Sequence, residues 1–92
     1  MIEYTPPVAT DLQDIKDSLG LTGQQMAELL SVAGGQQWRK YTGGEKPRSL
    51  SLHALFFLAA RLSLSNDELA RVRSRMQQIG ADVGEITAVQ SQ

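Results

Sequence analysis

Gln36, Gln37, Arg39 and Lys40 crowd into one short segment, and Lys46 and Arg48 follow closely behind them. Carboxamides and cations at this density can hydrogen-bond the edges of base pairs in a major groove and hold backbone phosphates. Their spacing around Trp38 and Tyr41 matters. Those two rings are three apart, so on a helix they share one face. If that face turns inward, Gln36, Gln37, Arg39 and Lys40 are left projecting as a ridge. On an arbitrary amphipathic helix the same four side chains would only be a solvated face. The surrounding sequence decides between the two readings.

Charge is unevenly placed. The formal net charge is −1, which argues against a general nucleic-acid coat built on neutralising many phosphates. From Met1 to Leu30, Glu3, Asp11, Asp14, Asp17 and Glu28 face only Lys16. From Ser31 to Leu50, Arg39, Lys40, Lys46 and Arg48 face only Glu45, so positive charge is gathered where the polar ridge would lie.

Other chemistries have little to work with. There is no cysteine and a single histidine, His53, with no carboxylate cluster beside it in sequence, so neither a metal site nor a cofactor is expected. No nucleophile and base are paired at a recognisable spacing, so the chain is not expected to be an enzyme, and no small-molecule substrate or inducer pocket is evident. The N-terminus lacks the charged start and apolar run of a signal peptide. The apolar stretch from Leu50 to Leu64 is broken by Ser51, His53 and Arg61. These features predict a cytoplasmic protein with no membrane partner.

The elements that would position the ridge are legible from caps and periodicity. Thr10 with Gln13 three residues on predicts a capping box, ahead of Leu12, Ile15 and Leu19 at helical spacing, with Gly20 as the stop. Thr22 with Gln25 repeats the signature before Met26, Leu29 and Leu30. Ala33-Gly34-Gly35 reads as a breaker, followed by a short helix at about 35–42 and a Gly43-Gly44 stop. Ser49 or Ser51 is placed to cap a fourth helix whose apolar residues run nearly all round, so it is expected to be central in the core. Ser65 with Glu68 opens a fifth helix, on which Leu69, Val72, Met76 and Ile79 form a stripe. Arg71, Arg73 and Arg75 spread around that helix and are expected to be solvated.

At 92 residues one domain is expected: an all-α, compact bundle of about five short helices over 10–80. A flexible N-terminal arm over 1–9 and a flexible C-terminal tail over 81–92 would flank it. The second and third helices are so close that a steep crossing, a helix-turn-helix, is expected. Ala27 would allow the close approach and Val32 would fill the angle.

The run Leu21-Thr22-Gly23-Gln24-Gln25-Met26-Ala27-Glu28-Leu29-Leu30-Ser31-Val32, followed by Trp38-Arg39-Lys40-Tyr41-Thr42-Gly43-Gly44-Glu45-Lys46-Pro47, resembles the lambda-repressor and Cro-like (XRE-type) helix-turn-helix family. The likeness spans roughly Asp11 to Leu62. It implies base reading by Gln36, Gln37, Lys40 and Arg39, and phosphate contacts by Gln24, Thr42, Lys46 and Arg48. The family's interval from the valine to the two inward residues is one residue shorter, which places an extra residue within Ala33-Gly34-Gly35. The double glycine also stands where the family often has residues that touch DNA.

The expected function is a sequence-specific double-stranded DNA-binding transcriptional regulator, a repressor acting as a homodimer. One short helix with four readers, at about 1–3 kcal/mol per good bidentate contact, discriminates too little alone to find a genomic site. The alternative keeps the fold but binds a protein partner, as an adaptor, an antitoxin-like partner or an inhibitor. Its motive is the net negative charge and the acidic first helix.

Overall fold

The computed structural model describes residues 1–30 and 34–89, over 34–37 as backbone only. Among them are five helices and no strand: α1 (Ala9–Leu19), α2 (Gly23–Leu29), α3 (Gly34–Thr42), α4 (Leu52–Ser63) and α5 (Asn66–Ile79). The all-α class and the small, compact bundle are as the periodicity predicted.

Local chemistry starts and stops these helices. α1 begins two residues earlier than a Thr10 cap would give, because Val8 is its N-cap: the Val8 N–H donates to Asp11 Oδ2 at 3.0 Å. A carboxylate beside the positive end of a helix is a better acceptor than the Gln13 amide. Gln13 instead donates to Asp17 Oδ1 at 3.1 Å. Gly20 ends the helix at φ +67°, a left-handed conformation that glycine adopts without a Cβ penalty. Its N–H donates to the Asp17 carbonyl and the Leu21 N–H to that of Lys16, satisfying two of the last free carbonyls of the helix. Two residues later Thr22 caps α2 reciprocally: the Gln25 N–H donates to Thr22 Oγ1 and the Thr22 N–H to Gln25 Oε1.

Packing overrides propensity at α3. Gly34 and Gly35, expected as the breaker and as the place of the extra residue, form the first turn of the helix. Glycine costs a helix about 1 kcal/mol per position. Burial of Trp38 against α2 offsets that. Val32 and the rest of 31–33 lie outside the described residues.

One cluster, Leu12, Met26, Ala27, Leu30, Trp38, Leu50 and Leu58, forms the core, with Ile15, Leu19, Tyr41, Leu55 and Leu62 packed around it. Ala27 is fully buried in it beside Met26, as its small size predicted. α4 departs from expectation. It is capped by Ser51, whose Oγ accepts from the Ala54 N–H, but only Leu58 is buried. The two adjacent phenylalanines divide, Phe57 half-buried and Phe56 72% exposed. The core cluster takes only part of the apolar surface of α4, and the rest of it stays open. The α5 stripe divides likewise: Leu69 is buried and Met76 half-buried, whereas Val72 and Ile79 are exposed.

The Ser65–Glu68 box at the start of α5 forms as expected, with the Ser65 N–H donating to Glu68 Oε1 and the Glu68 N–H to Ser65 Oγ. The hydrogen bonds from Ser65 hold the Glu68 carboxyl below its ordinary 4.5, and Arg71 adds a smaller contribution in the same direction. A depressed folded-state pKa means that this stabilisation is present above the unfolded value and fades as pH falls through the folded one. Protection of the amides in the first turn of α5, taken relative to their intrinsic exchange rate, is therefore expected to fall as the pH drops below the ordinary glutamate range. In Glu68→Gln that acid-dependent loss of protection should vanish, and the same loss surviving in the variant would refute the assignment.

Both flanks are tied to the bundle. Tyr4 Oη donates to the Leu50 carbonyl at 2.6 Å. The segment 81–89 has neither helix nor strand, as its lack of period predicted, yet it is bonded along α4 and α5. Arg73, expected to be solvated, is half-buried and donates to the Val83 carbonyl; the Ala88 N–H donates to Asn66 Oδ1. Arg61 is the main clamp: Nε and Nη2 donate to the carbonyl and hydroxyl of Thr87, and Nη1 to the Leu29 carbonyl at the end of α2. Its guanidinium also lies 5.7 Å from the centroid of the Phe57 ring. Arg61→Ala is expected to lower stability by about 1.5–3 kcal/mol and to open 81–89 to proteolysis. Arg61→Lys should rescue little, because an ammonium cannot reproduce the planar fork. A tail as resistant to protease in both variants as in the parent protein would contradict this.

Candidate nucleic-acid interface

The orientation of α3 governs the candidate surface. Trp38 is 1% exposed and Tyr41 is half-buried against the core cluster, so the two rings point inward as their spacing predicted. Arg39 and Lys40, between them, are exposed. Gln36 and Gln37 belong to the helical backbone of α3, and their side chains lie outside the described residues.

The loop after α3 returns to the helix. The Gly43 N–H donates to the Arg39 carbonyl, Gly44 turns at φ +82°, and the Arg48 N–H donates to the Lys40 carbonyl at 2.6 Å. The Arg39 and Lys40 carbonyls of the last turn of α3 are thereby satisfied, and the loop carrying Lys46 and Arg48 is held against the negative end of the helix, where cations are favoured. Both side chains are exposed, as is Glu45. α3 and its loop therefore carry Arg39, Lys40, Lys46 and Arg48 as exposed side chains, with the backbone of Arg48 tied to that of Lys40.

Gln24 and Thr42 lie elsewhere on the same assembly. Gln24 is exposed in the first turn of α2, and Thr42 is half-buried with its hydroxyl donating back to the Trp38 carbonyl at 3.5 Å. Both line a cleft between α1, α2 and α3 together with Gln13, Lys16, Trp38 and Arg39. The sequence placed Gln13 in a cap and Lys16 on an acidic helix, and neither at the candidate surface. The available signal was that Lys16 is the lone cation of an acidic helix and falls beside its apolar stripe. In the fold Lys16 is half-buried, whereas Asp11, Asp14 and Asp17 are exposed.

Among the described residues no three His, Cys, Asp or Glu come together as a metal site, and no helix is long and apolar enough to cross a membrane. His53 is exposed on α4. It borders a groove of about 530 Å³, which is walled mainly by Phe57, Met76, Val83 and Ile86. The sequence reading had no means of anticipating this groove, because the 81–89 segment forms one wall. Comparison with protein families, curated proteins and solved structures finds no match for this chain.

Proposed function

We propose that the chain is a sequence-specific double-stranded DNA-binding regulator of transcription, a repressor working in the cytoplasm, in which α3 enters the major groove. The carrying observation is that Trp38 is buried while Arg39 and Lys40 are exposed, which turns the polar side of a short helix outward. The loop cations Lys46 and Arg48 then supply sequence-independent phosphate contacts at the end of that helix. A homodimer would double the read sequence into a pseudo-palindrome. The uncovered apolar side chains Phe56, Val72 and Ile79 give such a dimer material to bury.

Enrichment of bound fragments from a random duplex pool tests the proposal in one step. The expected result is a short two-fold symmetric site, bound more weakly as salt rises. Recovery of no preferred sequence, together with no retention on duplex DNA at low salt, would overturn it. The same exposed apolar residues also fit the protein-interaction reading, in which the fold is kept and DNA is not bound. A stable complex with a co-purified protein in that experiment would favour it.

A further inference from the structure

Two apolar surfaces of the described chain lack a cover, and their margins carry opposite charge. The first is a groove of about 240 Å³ between α1 and α4, walled mainly by Leu12, Ile15, Leu55, Leu58 and Leu62 with Asp11 at its edge. Asp14 follows Asp11 by about one turn, so the two exposed carboxylates lie along the α1 margin. On the α4 margin Ala59 and, a turn before it, Phe56 are exposed. The second surface is the outer side of α5, where the exposed side chains of Val72 and Ile79 stand two turns apart on one face. Arg75 falls between them and Arg71 beside it, both exposed, and from Leu69 to Ile79 the helix has no carboxylate. Among the described residues the side chains of Asp14 and Arg75 have no ionic or hydrogen-bonded partner.

We propose that the α1–α4 groove receives α5 of a second copy of this chain, and that the exchange is reciprocal. Val72 and Ile79 of each copy fill the groove of the other, while Arg71 and Arg75 face Asp11 and Asp14. The mode is an amphipathic helix laid in an apolar groove, with charge fixing its orientation. It rests on the homodimer within the proposed function and names the surfaces that make it. Pairing about a two-fold axis covers both surfaces of both copies, whereas a one-way contact would leave a groove and a helix face open and propagate into chains. A seam of α5 on α5 fits less well. Laid antiparallel so that Val72 meets Ile79, it would bring the two Arg75 side chains together and leave the groove empty. Neither surface includes α3 or the loop after it, so the DNA reading of that helix does not depend on this contact.

Asp14→Lys and Arg75→Glu alter exposed residues outside the core, so both variants should fold. Sedimentation equilibrium of the intact protein is expected to show monomer and dimer in exchange. Each single variant should dimerise about tenfold more weakly, because a two-fold axis makes every reversed charge count twice. An equimolar mixture of the two variants should recover the parent affinity, since each reversed charge then meets its opposite in the other chain. Val72→Ser, checked for an unchanged far-UV spectrum, should weaken the dimer without any recovery on mixing. A parent that stays monomeric, assemblies that grow past the dimer, or single-variant losses that mixing does not recover would overturn the proposal. A dimer that none of the substitutions weakens would remove this interface and leave the homodimer standing. A monomer that still binds duplex DNA would remove the dimer and leave the reading helix.

Discussion

Replacing Trp38 by alanine is expected to cost about 3–5 kcal/mol of folding free energy, the largest loss of any single side chain in the molecule. The ring is among the largest fully buried side chains, and it belongs to the same cluster as Met26 and Ala27 of α2 and Leu12 of α1. A domain of this size has about 5–15 kcal/mol in hand, so the variant should sit close to its unfolding threshold at room temperature. Trp38→Phe is the informative companion. It gives up ring volume but also removes a buried donor without an acceptor, whose desolvation costs about 1–3 kcal/mol. The two effects oppose each other, and the net loss should be much smaller than for alanine. Denaturant unfolding followed by far-UV circular dichroism measures both. An alanine variant within about 1 kcal/mol of the parent would show that α3 is not anchored through this ring, and the inward-outward assignment of its faces would fail with it.

The second large effect concerns charge at the candidate interface. Substituting Arg39, Lys40, Lys46 and Arg48 together by glutamine should reduce the dependence of log affinity on log salt by about 0.9 for each phosphate contact removed, a change in slope of up to about 3–4. At about 0.1 M salt this corresponds to roughly a thousandfold loss of duplex binding. All four side chains are exposed, so the fold should be unaffected. Restoring Lys46 and Arg48 alone should return affinity for every sequence without preference, since loop cations position rather than specify. Gel-shift titrations at several salt concentrations provide the slopes. An unchanged slope in the quadruple variant would place the DNA-binding surface elsewhere or nowhere on this molecule.

The two effects depend on each other in the fold. Trp38 and the Arg39–Lys40 pair are consecutive residues of one helix, and burial of the first is what projects the other two. The loop repeats the arrangement: the Arg48 N–H is tied to the Lys40 carbonyl, so the loop cations travel with α3 rather than independently of it. The position of the surface is thus fixed by backbone hydrogen bonds and one aromatic anchor, while its chemistry is carried by exposed ends.

Much of this was readable in the residues, because it depends on partners within a few positions. The Thr22–Gln25 and Ser65–Glu68 boxes and the Gly20 stop are local chemistry, and each appears where its residues stand. The inward pair Trp38 and Tyr41 follows from helical spacing alone. Where a local cue had a competitor, the tertiary structure chose. Val8 and Asp11 won the start of α1 from Thr10 and Gln13, and packing of α3 on α2 drew the glycine pair into a helix that propensity would have ended. The open side of α4, with Phe56 in solvent, required knowing which faces the other helices cover.

Arg61 shows most clearly what the chain order conceals. In the sequence it is a charge interrupting an apolar run; in the fold it reaches the Leu29 carbonyl 32 residues before it and Thr87 26 residues after it. The cleft at Trp38 is similar, since Lys16, Gln24 and Arg39 meet there only after three helices have crossed. The amino-acid order determined the helices, their ends and their apolar faces, because those follow from bonds and side-chain periods a few residues long. Which polar groups share a cleft, and which backbone carbonyls an arginine finds, was decided by the crossing of whole helices, because those partners are distant along the chain and come into range only when the core closes.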